Sequence, residues 1–112
     1  MKQFKLFFRY DFNPNYQPTA EEIEVESQKW GQWIGSLAQN GQFVGTNQLG
    51  YTGKLLKSDG SFVDSLHLSG SEVLAGDMVI NAQDIEEALQ LAKGSPILEI
   101  GGNVEIRDVI PM

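Results

Sequence analysis

The stretch from Gly76 to Pro111 most constrains what this chain can fold into, because it reads as strand, helix, strand. Met78, Val79 and Ile80 form a continuous apolar run, the pattern of a central strand covered on both faces. Asp84 stands where an N-cap belongs and Glu87 follows three residues later, the spacing of a capping box in which each side chain bonds a first-turn backbone N–H. Ile85, Ala88, Leu89 and Ala92 then fall on one helical face. Gly94 is suited to a left-handed stop, and Pro96 prevents continuation. Beyond it Val104 and Ile106 point one way while Glu105 and Arg107 point the other. The helix needs an apolar partner, so Val104 and Ile106 are assigned to its side of the sheet. Whether the two strands of this unit are neighbours stays open.

The rest of the chain must pack on this unit. Phe4, Leu6, Phe8 and Tyr10 alternate with Lys5, Phe7 and Arg9 in a first strand over residues 3–10. Arg9 then emerges on the same side of the sheet as Glu105 and Arg107. After an Asn- and Pro-rich loop, Thr19 and Glu22 give a second capping box. Glu21, Glu22, Glu24 and Glu26 suit the positive end of that helix. Trp30, Trp33, Ile34 and Leu37 make its apolar stripe, extended backwards by Ile23 and Ser27. Tryptophans on such a stripe serve as core or as a ligand platform, and core is the favoured reading. Asn40 and Gly41 end the helix. A short strand follows in QFVGTNQLG, then a hairpin turning at Asp59-Gly60, then an irregular segment over residues 65–75.

Without the hairpin the order is βαββαβ. The expected architecture is α+β: a ferredoxin-like sandwich with an antiparallel sheet and both helices on one face, formed by residues 1–112 as one domain. The other face would be bare and would carry Phe7, with Leu55 or Phe62, among charged groups. A second copy of the same face is the simplest cover, so a homodimer with a cleft between the sheets is expected.

Composition narrows the functions. The net charge is −7, from 15 acidic and 8 basic residues, and the basic ones are scattered, which disfavours nucleic acid as a partner. The chain has no cysteine and one histidine, so neither a thiolate site nor a multi-histidine metal site can form within one copy. No metal and no cofactor are expected. The N-terminal stretch is charged throughout and no segment approaches a membrane span, so no membrane partner and a cytoplasmic location are expected.

Two groupings are candidates for chemistry. Asp64 lies three residues before His67, and such a carboxylate can orient the ring as an acid/base; a loop histidine exposed to water is the plainer reading. Glu105 and Arg107 sit on one strand face, about 7 Å apart. They can pair with each other or with Arg9, either as an anion clamp for a carboxylate or phosphate or as an interface ion pair. Arg9 and Tyr10 can add a cation and a hydroxyl, although core packing also accounts for Tyr10. On residues alone a binding domain is favoured over an enzyme, and a purely structural dimer is a third possibility.

Three segments resemble the YCII-related domain family, in particular its DGPF branch: DIEEALQLAKGSP, GGNVEIRDV and FVDSLHLSGSEVLAGDMVI. Asp64 and Glu72 match acidic positions of that branch, while Ser65, Leu66 and His67 replace its Gly-Pro-Phe, and Asp108 stands where Pro is frequent. The resemblance implies a dimeric α/β barrel with a cleft for a small molecule and, in some members, a His–Asp pair. Together with the strand reading, the expected function is binding of a small anionic metabolite in that cleft, with Arg9, Tyr10, Glu105 and Arg107 as ligand-binding residues. The alternative is an enzyme of the isomerase, lyase or monooxygenase-like kind, with His67 or Asp64 as acid/base and Arg107 holding the anion.

Overall fold

The computed structural model describes residues 1–112. Seven strands and two helices follow one another: β1 (Lys2–Asp11), α1 (Ala20–Gln39), β2 (Phe43–Gln48), β3 (Leu55–Leu56), β4 (Phe62–Val63), β5 (Leu68–Ser69), β6 (Glu72–Ala82), α2 (Ile85–Ala92) and β7 (Asn103–Asp108). The main sheet has the order β2-β6-β1-β7, with β5 also paired to β6, and every pairing is antiparallel. β3 and β4 form a separate two-stranded ribbon. The architecture is α+β and consistent with a ferredoxin-like sandwich. β6 and β7 are not neighbours, since β1 lies between them.

Alternation sets the faces. Phe4, Leu6 and Phe8 of β1 are buried with Met78, Ile80 and Ala82 of β6. Trp33 and Leu37 of α1 and Ala88 and Ala92 of α2 join the same core, so both helices cover one face. Val104 and Ile106 pack on its edge, as assigned from their alternation. The tryptophans are core residues. Trp30 and Trp33 meet edge-on at 5.7 Å, and Phe8 stands edge-on to both at 5.1 and 6.1 Å.

The helix starts follow local chemistry. Thr19 and Glu22 close both halves of their box. Asp84 accepts from the Glu87 N–H, but Glu87 does not return the bond to Asp84. Its carboxylate takes the backbone N–H of Gln83 and the side-chain amide of Gln42 instead, so the box expected at Asp84 is only half made. Gly41, at φ 69°, provides the left-handed stop after α1.

Five expectations are corrected. Gly94 does not adopt the left-handed stop. It is glycine because Trp33 lies against it: a Cβ there would come within 2.9 Å of the indole, whose N–H donates to the Leu91 carbonyl at 3.1 Å. On α2 the buried residues are Ala88 and Ala92, while Ile85 and Leu89 remain half exposed, because small side chains let the helix lie close to the sheet. Ile23 and Ser27 are exposed, so the stripe of α1 does not extend back through its first turns. Val79 is only partly buried, because β6 has a helix layer on one face alone. β6 also starts at Glu72 rather than Gly76. Leu68 and Ser69 pair with Val73 and Glu72 through a tight turn at Gly70, φ 62°, so part of the expected irregular segment is a small hairpin.

Candidate functional site: the open face of the sheet

The face away from the helices presents Lys5, Phe7 and Arg9 from the centre of the sheet. Register places Phe7 between Asp77 of β6 and Glu105 of β7. Lys5 and Arg9 flank the same ring along the strand, with their charges 5.7 and 5.8 Å from its centroid. Each cation reaches diagonally to a carboxylate: Lys5 Nζ lies 3.6 Å from Asp77 Oδ2, and Arg9 Nη1 donates to Glu105 Oε1 at 2.8 Å. The Arg9 side chain is 26% exposed and that of Glu105 47%, so this pair is partly shielded. Phe7 is therefore an apolar centre boxed by four charges (two of each sign).

The array continues towards the end of β1. Leu74 lies opposite Arg9, because the ladder steps past Ala75 in an irregularity between Phe8 and Arg9. The Asn103 amide donates to Glu72 Oε2 at 2.7 Å, and the Ser71 hydroxyl donates to Asp11 Oδ1 at 2.6 Å. Lys5, Glu72, Asp77 and Asn103 were not singled out from the sequence as site residues. Alternation alone would have put Lys5 with Arg9, but the partners across the ladder needed the register.

Arg107 differs from its neighbours. It lies on the same face, opposite Lys5, is exposed, and makes no ion pair. Of the two partners weighed for Glu105, the structure chooses Arg9. Tyr10 is on the other face, half-buried against the core. Its hydroxyl meets that of Tyr51, whose ring lies 5.4 Å from Phe12. Tyr10 is therefore not brought together with Arg9, Glu105 and Arg107.

Partial burial pushes the Tyr51 phenol above the ordinary tyrosine range. A phenol whose folded pKa is raised holds its proton more tightly in the native state, so its contribution is present below the unfolded pKa and is lost as pH rises through the folded one. An alkaline titration followed by phenolate absorbance will show a component above about pH 10, the usual tyrosine value, that disappears in Tyr51→Phe. Stability will fall over the same window in the wild type more than in the variant.

Asp64 and His67 lie beyond the ribbon. The Asp64 carboxylate is bonded to the Lys54 ammonium, and both side chains are mostly exposed. These two residues line a shallow hollow of about 410 Å³ with Tyr51, Thr52, Gly53 and Ser65. His67 is exposed, and no hydrogen bond joins it to Asp64. No helix is long and apolar enough to cross a membrane.

An antiparallel sheet with two helices on one face and a charged, partly apolar opposite face defines a small α+β sandwich. The chain belongs to the YCII-related domain family, which matches residues 9–112, nearly its whole length. No curated protein matches it.

Proposed function

We propose that this chain is a ligand-binding protein that works as a homodimer. Two copies stack their open faces about a two-fold axis, giving the dimeric α/β-barrel arrangement, and the cleft between them takes a small organic anion. Phe7, Leu74 and Val79 supply apolar surface to the walls. Arg9 is held in place by Glu105, and Arg107 makes the primary contact with the anion. A guanidinium binds a carboxylate or phosphate with two parallel hydrogen bonds, which gives orientation as well as attraction. The observation that carries this reading is the uncommitted Arg107 on a face where Lys5 and Arg9 already have carboxylate partners.

The test is a thermal-shift screen of the purified protein against small carboxylates and phosphate esters. A ligand present at 100 times its Kd stabilises by about 2.7 kcal/mol, enough for a clear rise in Tm. The expected result is a shift in the wild type that is lost in Arg107→Ala. A panel with no hit, or a shift retained in the variant, overturns the assignment of Arg107.

A further inference from the structure

β7 is an edge of the sheet, paired to β1 on one side only. It is six residues long, and its ladder with β1 runs from Asn103 to Asp108 without a bulge. The opposite edge, β2, is interrupted, since its ladder with β6 slips between Phe43 and Gly45. A regular edge strand presents unpaired N–H and C=O groups to any further strand unless a bulge, a proline or a charge turns that strand away. β7 has neither bulge nor proline. It does carry charges, and their order selects what can pair with it.

One bond fixes which backbone groups point outwards. The Val109 N–H donates to the Gln3 carbonyl at 3.1 Å, one step beyond the pairing of Asp108 with Phe4. The hydrogen-bonding side alternates along a strand, so Asn103, Glu105 and Arg107 also turn their backbone groups towards β1. Val104, Ile106 and Asp108 turn theirs outwards.

Two copies of this edge can pair antiparallel about a two-fold axis, and the registers with most overlap differ sharply. Outward-facing residues must meet each other for the hydrogen bonds to form, so the axis passes through Glu105, Ile106 or Arg107. At Glu105 it sets two carboxylates directly opposite, and at Arg107 two guanidiniums, which repel. At Ile106 every outward residue finds a partner: Ile106 pairs with its own copy, and Val104 with the partner's Asp108. The same register sets Glu105 opposite the partner's Arg107 on each side of the axis. Those two form a non-hydrogen-bonded pair, the kind that brings side chains closer. Both groups can accept the contact. Glu105 holds Arg9 through Oε1, which leaves Oε2, and Arg107 has no ion pair within its own chain. Ile106, only partly covered at the edge of the core, would be covered by its own copy.

We propose that β7 is the seam of an edge-to-edge dimer, in which two copies of this chain join their sheets about an axis at Ile106 and the partner's Glu105 holds Arg107. This goes beyond the ligand reading and uses a different part of the sheet from the stacking of open faces. The partner copy then does for Arg107 what Glu105 does for Arg9 within the chain. A guanidinium has five N–H donors, so the pair leaves others directed over the open face.

The chain has no cysteine, so one introduced thiol reports contact between copies. Across the axis the two Cα atoms at position 106 lie about 5.5 Å apart, inside the disulfide range of about 4.4–6.8 Å. Full-length Ile106→Cys is compared under mild oxidation with Ser27→Cys, a more exposed position on α1 that measures random collision. The expected result is a covalent dimer at least tenfold faster from Ile106→Cys. Ile106 is on the helix side, so stacked open faces do not bring its two copies together. Linking no faster than from Ser27→Cys overturns the seam, and any dimer still seen by sedimentation then belongs to the open faces. The second arm leaves Ile106 intact and so decides the matter if Ile106→Cys does not fold. Arg107→Glu puts like charges opposite each other twice, and the sedimentation constant for association should fall about tenfold to a hundredfold. Glu105→Arg/Arg107→Glu restores opposite charges across the axis and should bring it back towards wild type. An unchanged constant in Arg107→Glu overturns the pairing of Arg107 with the partner's Glu105. Neither readout involves a ligand, so an empty thermal-shift screen beside rapid linking at position 106 counts against the anion reading alone.

Discussion

Leu6→Ala will lower the free energy of unfolding by about 2–5 kcal/mol, the range for truncating a fully buried leucine. Leu6 has no exposure and sits on the central strand, facing Met78 on one side and Ile106 on the other. Met78 is equally inaccessible, and Ile80 completes the set of largest fully buried side chains. The loss has two parts: the transfer of the missing methyl groups, and the cavity left between the sheet and the helices, flanked by Met78 and Ile106 on strands that the ladder holds at fixed spacing. Hydrogen bonds to β6 and β7 keep β1 from collapsing into the space, which puts the expected value in the upper half of the range. A domain of this size has a total stability of about 5–15 kcal/mol, so one substitution removes a large share. Urea denaturation followed by tryptophan fluorescence reads this directly, because Trp30 and Trp33 pack on Phe8 in the same core. A loss under about 1 kcal/mol would mean that β1 is not the centre of the sheet.

The features legible in the sequence are those whose cause is local. Thr19 with Glu22 marks a helix start because both partners lie within one turn. Asp59-Gly60 marks the ribbon because the carboxylate bonds two residues ahead. The buried faces of β1 and α1 follow from periods of two and 3.6 residues. What the sequence left open depends on distant partners. Gly94 reads as a helix stop by position, yet its small size is demanded by Trp33 from another helix. β5 is two residues long and exists only because β6 runs beside it. At the candidate site, alternation put Arg9, Glu105 and Arg107 on one face. Which carboxylate Arg9 takes is decided by the register of β1 against β7, and it leaves Arg107 unpaired. Of the two readings of Tyr10, the core-packing one follows from alternation, since a residue adjacent to Arg9 on a strand faces the other way.

Gly102→Ala tests the link between fold and site most sharply. The residue is at the entrance to β7, where a Cβ would lie 2.6 Å from the Arg9 carbonyl oxygen, 2.6 Å from Ile97 Cγ1 and 2.9 Å from the Ile97 carbonyl oxygen. Two of these three atoms belong to the backbone, so no rotamer change relieves the contact. The Gly102 N–H also donates to the Ile97 carbonyl at 2.9 Å, which ties the strand entrance to the preceding 3-10 turn, Pro96–Ile100. The added methyl must push β7 away from β1 at the point where Asn103 faces Arg9. The expected cost is about 1–3 kcal/mol, the usual range for overpacking. Displacement of β7 also moves Glu105 relative to Arg9 and shifts Arg107 across the open face. Amide exchange in β7 should therefore speed up more than in β6, and the ligand-dependent rise in Tm should shrink under conditions where the variant is still folded. Wild-type exchange rates in β7, together with an undiminished ligand response, would mean that β7 does not approach β1 this closely and that the site does not depend on its register.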